Sequence, residues 1–114
     1  MPSPEIDLAT FEELKQMSGA DFISELIETF LEDAPQLIKD MKTSLKSNDA
    51  EVFRRAAHSF KSNSATFGAN RLSILAKELE MLGRENKLNE IGSRLESLEE
   101  AYGAAAKELK DLEE

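Results

Sequence analysis

A chain of 114 residues, 40% hydrophobic and 32% charged, is sized for one domain around a single core. Its net charge of -9 argues against binding nucleic acid or an anionic membrane surface, and no apolar run approaches the roughly 18 to 20 residues that span a bilayer. The absence of cysteine excludes a disulfide framework and thiolate chemistry and fits a reducing compartment, so the expectation is a monomeric cytoplasmic domain that meets a protein partner or a small ligand.

Apolar residues recur at helical spacing almost from end to end, and no window of strict alternation suggests a strand. The opening "MPSPEIDLATF" lacks the basic and apolar regions of a secretory signal. A short first helix is expected over 8–17, with Ile6, Leu8, Phe11 and Leu14 as its stripe and a capping box from Thr10 to Glu13. After "SGAD", the series Ile23, Leu26, Ile27, Phe30, Leu31, Leu37, Ile38, Met41 and Leu45 keeps its phase through Pro35, which predicts one long kinked helix over 20–47. In "KSNDAE", Asn48 stands as the cap of a third helix over 49–67 that turns Val52, Phe53, Ala56, Ala57, Phe60 and Ser64 inward and stops at Gly68. A fourth helix over 70–83 carries Leu72, Leu75, Leu79 and Leu82 and stops at Gly83. A fifth over 88–112 carries Leu88, Ile91, Leu95, Leu98, Tyr102, Ala105, Leu109 and Leu112. Gly103 inside it suggests a bend or a close helix contact. Short connections between such helices predict an all-α, antiparallel up-and-down four-helix bundle spanning 1–114, with the short N-terminal helix as a lid.

The only histidine of the chain, His58, lies about 100° around the helix axis from inward-facing Ala57 and therefore points outward or sideways. Residues 51–71 contain Arg54, Arg55, Lys61 and Arg71 against Glu51 alone, a local +3 within an acidic chain. A neutral imidazole gains little from such neighbours, whereas a phosphorylated one would accept charge-assisted hydrogen bonds from them. A mid-helix anion finds no free backbone N–H groups, so side chains would have to hold it. Ser62 and Ala65 are small and leave the ring approachable. Spacing alone favours an ordinary surface histidine among solvated charges.

The stretch "HSFKSNSATFGA", His58 to Ala69, resembles the signature of histidine-containing phosphotransfer (HPt) domains, with Phe60, Lys61, Ser62, Ser64, Ala65, Phe67, Gly68 and Ala69 in matching places. Ser62 stands where glycine is common in that family, and "ELEMLGREN" at 78–86 resembles the helix end that follows in many members. The resemblance implies that His58 is the phosphoacceptor, taking a phosphoryl group through Nε2 from the phospho-aspartate of a response-regulator receiver domain and passing it to another receiver. It implies that Lys61, with Arg54 and Arg55 near it, stabilises the phosphoryl group, that Ser62 and Ala65 admit the receiver's active-site loop, and that Glu80 orients the imidazole. Receivers, and a hybrid histidine kinase upstream, are the implied partners. The Mg2+ of the transfer is expected in the receiver, with no cofactor or metal of the domain's own. The sequence agrees in that Arg55 stands where a Glu-x-x-His motif needs glutamate and one histidine cannot build a di-iron centre. No glycine-rich nucleotide loop is present, so self-phosphorylation from ATP is not expected. Two other functions share the fold: a non-catalytic helical adaptor, and the phosphoacceptor domain of a chemotaxis-type histidine kinase. On the second helix Leu37, Ile38 and Met41 are candidates for docking contacts, and the acidic tail "KELKDLEE" reads as a solvated helix end.

Overall fold

The computed structural model describes residues 5–113, which form five α-helices and no strand. They are α1 (Leu8–Ser18), α2 (Ala20–Lys46), α3 (Ala50–Thr66), α4 (Asn70–Arg84) and α5 (Arg94–Glu113), with one 3-10 turn at Leu88–Glu90. α3 packs on α2 and on α4, and α5 packs on α4 and on α2, so these four helices enclose one core while α1 lies against α2 and α3. None of the described helices is long and apolar enough to cross a membrane.

α1 begins one turn earlier than a cap at Thr10 would allow. Asp7 is its N-cap, accepting the Ala9 N–H at 3.1 Å, and the Thr10 hydroxyl donates to the same carboxylate. The predicted capping box is thus replaced by an aspartate cap, and Leu8, expected in the stripe, is half exposed. α2 continues through Pro35, whose ring lies on the exposed face while Ile27, Phe30, Ala34, Ile38 and Met41 form the buried one. Ile38 and Met41 are therefore core rather than docking residues, and of the three candidates only Leu37 retains partial exposure.

Asn48 does not cap α3. It takes a left-handed conformation (φ 58°) that turns the chain, and Asp49 accepts the Val52 N–H at 3.2 Å instead. Val52 then falls on the exposed side, while Phe53, Ala57 and Phe60 are fully buried. Burying each such phenylalanine stabilises the fold by roughly 1.5–3 kcal/mol. Phe60 and Phe30 meet Tyr102 at ring-centroid distances of 6.0 and 5.9 Å, and Phe30 meets Phe67 at 5.3 Å. This tilted and edge-on aromatic cluster ties α2, α3 and α5 together.

Gly68, with φ 78°, ends α3 as expected and also receives the N-terminal segment. Its carbonyl accepts the Asp7 N–H at 2.8 Å, and a Cβ there would lie 2.9 Å from the Asp7 carbonyl oxygen. Gly83, expected to end α4, has a different function: α4 runs one residue past it, and left-handed Asn86 makes the turn, with Lys87 N–H bonding back to Leu82 O. The missing Cβ of Gly83 faces α3, where it would stand 3.1 Å from the Phe53 ring and 3.2 Å from the Arg54 Cα. It lets the two helices approach closely.

The predicted fifth helix over 88–112 is broken. Leu88 and Ile91 are buried in a 3-10 turn and its exit, Gly92 takes φ 55°, and regular helix starts only at Arg94. A spacing of three buries the same side in a 3-10 turn as in an α-helix, so the apolar pattern runs on across the break. A Cβ at Gly103 would meet nothing within 4 Å, which removes the close-contact explanation; nothing in the structure accounts for that glycine.

Candidate functional site

Because α3 buries Phe53, Ala57, Phe60 and Ser64, His58 emerges on its rim with 53% of its side chain exposed. Across the narrow α3–α4 seam lies Glu80, one turn before Gly83. Among the described residues it is the one buried charged side chain, 2% exposed. Its Oε2 is 2.8 Å from His58 Nδ1 and 3.1 Å from a guanidinium nitrogen of Arg84, and its Oε1 is 2.7 Å from Lys61 Nζ. Burial alone would raise the Glu80 carboxyl; hydrogen bonds from Lys61 and then His58 outweigh it and hold its pKa below the ordinary value.

An ionised carboxylate only accepts hydrogen bonds. The proton between it and His58 therefore sits on Nδ1, and the lone pair of the neutral ring is on Nε2, the nitrogen turned away from Glu80. The arrangement presents an exposed nitrogen nucleophile on a ring fixed from behind.

Of the residues singled out in the sequence, Glu80 and Lys61 converge with His58. Arg54 and Arg55 turn to Glu51, at 2.6 and 3.6 Å. Arg54's pKa is raised chiefly by its hydrogen bond to Glu51 and by that charge, with a smaller contribution from Glu80, so it lies within electrostatic range of the site without touching the ring. Ser62 is exposed beside His58. With Ser59 and Asn63 it forms the α3 wall of an open groove of about 420 Å³ whose α2 wall is Asp33, Gln36 and Leu37. Ala65 is exposed but does not line this groove. Arg84 was not found from the sequence; the available signal was its place four residues after Glu80 on one helix.

An exposed histidine, held through Nδ1 by a buried carboxylate on the rim of an all-helical core, sits within a region recognisable by comparison. The family model for the Hpt domain matches residues 25–113. The chain belongs to the Hpt domain family. The match begins inside α2, so α1 lies outside the part of this Hpt domain that the family model covers. Its structure is similar to the crystal structure of histidine-containing phosphotransfer protein B (HptB) from Pseudomonas aeruginosa PAO1. The TM-score is 0.91 at 26% sequence identity, covering 98% of this chain and 96% of that one. No curated protein matches the chain. In this Hpt domain, the exposed imidazole is that of His58, which opens the stretch "HSFKSNSATFGA".

Proposed function

We propose that the domain is a phosphorelay carrier of two-component signalling, in which His58 accepts a phosphoryl group from the phospho-aspartate of one receiver domain and passes it to the aspartate of another. The Hpt family match supports the phosphotransfer role. The single observation that carries the residue assignment is the His58 Nδ1 to Glu80 contact at 2.8 Å, which leaves Nε2 as the nucleophile. The reading includes an antiparallel four-helix bundle as scaffold, a cytoplasmic monomer, and receivers or a hybrid kinase rather than nucleic acid or membrane as partners.

In the proposed transfer a receiver lies over the groove beside Ser62 and Leu37, where small and apolar side chains leave the ring open to the attacking line. Catalysis is mainly positioning: His58 Nε2, phosphorus and the aspartate oxygen are brought into line, and the receiver's Mg2+ and basic groups spread the charge. Lys61, three residues after His58 on the same helix, keeps its bond to Glu80 and turns a second N–H of its ammonium to a phosphoryl oxygen once the group is loaded. Arg54 and Arg55 contribute a positive field from their places on Glu51. Ala65, farther along α3, is the outer edge of the receiver's footprint.

Incubation with a phosphorylated receiver tests the reading. The expected label is stable in base, labile in acid and absent from His58→Gln, whose helicity is unchanged because the side chain is half exposed. Equal labelling of His58→Gln would remove His58 from its assigned role.

A further inference from the structure

Glu80 presents a charge problem as well as an orientation. Its two oxygens are held by Lys61 from α3 and Arg84 from α4, so the carboxylate has cationic partners whatever the state of His58. The other charges around the ring are Arg54 and Arg55 on α3, both already paired with Glu51, and Asp33 across the groove on α2. When Nε2 takes a phosphoryl group while Nδ1 keeps its hydrogen, the ring becomes a cation. Without Glu80 that cation would face Lys61, Arg84, Arg54 and Arg55 together, and the Nδ1 proton would be expelled.

We propose that Glu80 is the counter-ion that keeps the Nδ1 proton on His58 through both loading and discharge, so that phosphoryl transfer runs in either direction without a proton-transfer step. This deepens the carrier reading and rests on it. In loading, the Nε2 lone pair forms the N–P bond and the P–O bond to the receiver aspartate breaks, its electron pair staying on the aspartate oxygen. The product is a phosphoimidazolium with Nδ1–H on Glu80. In discharge to a receiver aspartate, a new P–O bond forms and the N–P pair returns to Nε2. The leaving group is then neutral imidazole, with the same Nδ1 proton in place. Had that proton been lost, an imidazolide would have to leave, or a proton would have to be returned first. The depressed pKa of Glu80, which burial opposes and its cationic neighbours restore, fits a group that stays ionised throughout. An amide at this position could orient the ring equally well and supply none of the charge.

The decisive comparison is therefore wild type against Glu80→Gln, which retains an acceptor oxygen and loses the charge. Both intact domains are loaded chemically with phosphoramidate, and the His58 ring nitrogens are followed by long-range 1H–15N correlation across pH. The phosphorylated wild type should hold its Nδ1 proton to a pH about one to three units higher than Glu80→Gln. Above the variant's midpoint it should discharge to a receiver about tenfold faster or more. Equal midpoints in the two proteins would overturn the proposal. If Glu80→Gln does not fold, the phosphorylated wild type is titrated folded and in urea. The folded form should deprotonate at the higher pH, and coincident curves would overturn the proposal. Chemical loading separates the two levels: a midpoint gap with no transfer to any receiver upholds the counter-ion and sinks the carrier reading, whereas receiver transfer with no gap does the reverse.

Discussion

The exposed ring of His58 and the buried carboxylate of Glu80 form a pair whose members tolerate each other only in one protonation pattern. At 2% exposure Glu80 is held ionised against burial by its hydrogen bonds with Lys61 and His58, and Arg84 stands 3.1 Å from the same carboxylate. Its folded pKa lies below the ordinary value of 4.5, so between the two values the unfolded chain binds the proton and the native state does not. The sign follows: this contribution is complete above about pH 4.5 and is lost as pH falls through the folded value. Urea unfolding of wild type and Glu80→Gln should therefore show a stability gap at pH 7 that narrows steadily on acidification below about pH 4.5. A gap independent of pH would mean that the carboxylate does not titrate with folding. At this scale His58 and Lys61 were legible, because motif spacing and helical phase are properties of one helix. Glu80 was legible only as a position in a matching stretch. Its burial, and the recruitment of Arg84, depend on how closely a second helix approaches, which no spacing along one helix encodes.

Among elements, the α3–α4 seam decides whether the pair can form. Gly83 lies one turn beyond Glu80, and its bare Cα faces Phe53 and the backbone of Arg54 at distances a methyl group cannot share without movement. Gly83→Ala should cost about 1–3 kcal/mol in urea unfolding as the helices are forced apart. It should also weaken the His58–Glu80 hydrogen bond, visible as a loss of the single Nδ1–H tautomer in the 15N spectrum. Wild-type stability with an unchanged tautomer would show that the seam does not need glycine. The same residue illustrates why element ends were harder to read than elements. A glycine near a helix end can serve as a left-handed stop or as a packing gap. At 83 the stop is made by Asn86 instead, and at 68 one glycine does both. The two caps show a similar limit: in "NDAE" both Asn48 and Asp49 are competent cap residues, and the tight turn from α2 selects the aspartate by giving the asparagine φ 58°.

Across the whole molecule, the ends of the described chain are fastened to each other. Glu108 on α5 accepts the backbone N–H groups of Glu5 at 2.6 Å and Ile6 at 3.4 Å, Asp7 bonds to the Gly68 carbonyl, and Ile6 is completely buried between these attachments. α1 is thereby held onto the turn that follows the His58 helix. Ile6→Ala should lower global stability by about 2–5 kcal/mol, a large share of what a domain of this size possesses, and should be read as a fall in Tm with the phosphotransfer rate per folded molecule retained. A Tm within a degree or two of wild type would show that the strap bears no core load. The helical class and most of the core were legible in the apolar periodicity, because burial of one face per helix imposes it. Of the strap only Ile6 was legible, as a member of the first apolar stripe, because the backbone hydrogen bonds that fasten it leave no pattern in the sequence.

The most direct test of the functional reading concerns the nitrogen that carries phosphorus. The intact domain, phosphorylated through a receiver and a small-molecule phosphodonor, should give long-range 1H–15N and 31P spectra with one phosphoryl group, bonded to His58 Nε2, because Glu80 occupies Nδ1. Phosphorus on Nδ1, on any other residue, or on none would contradict it.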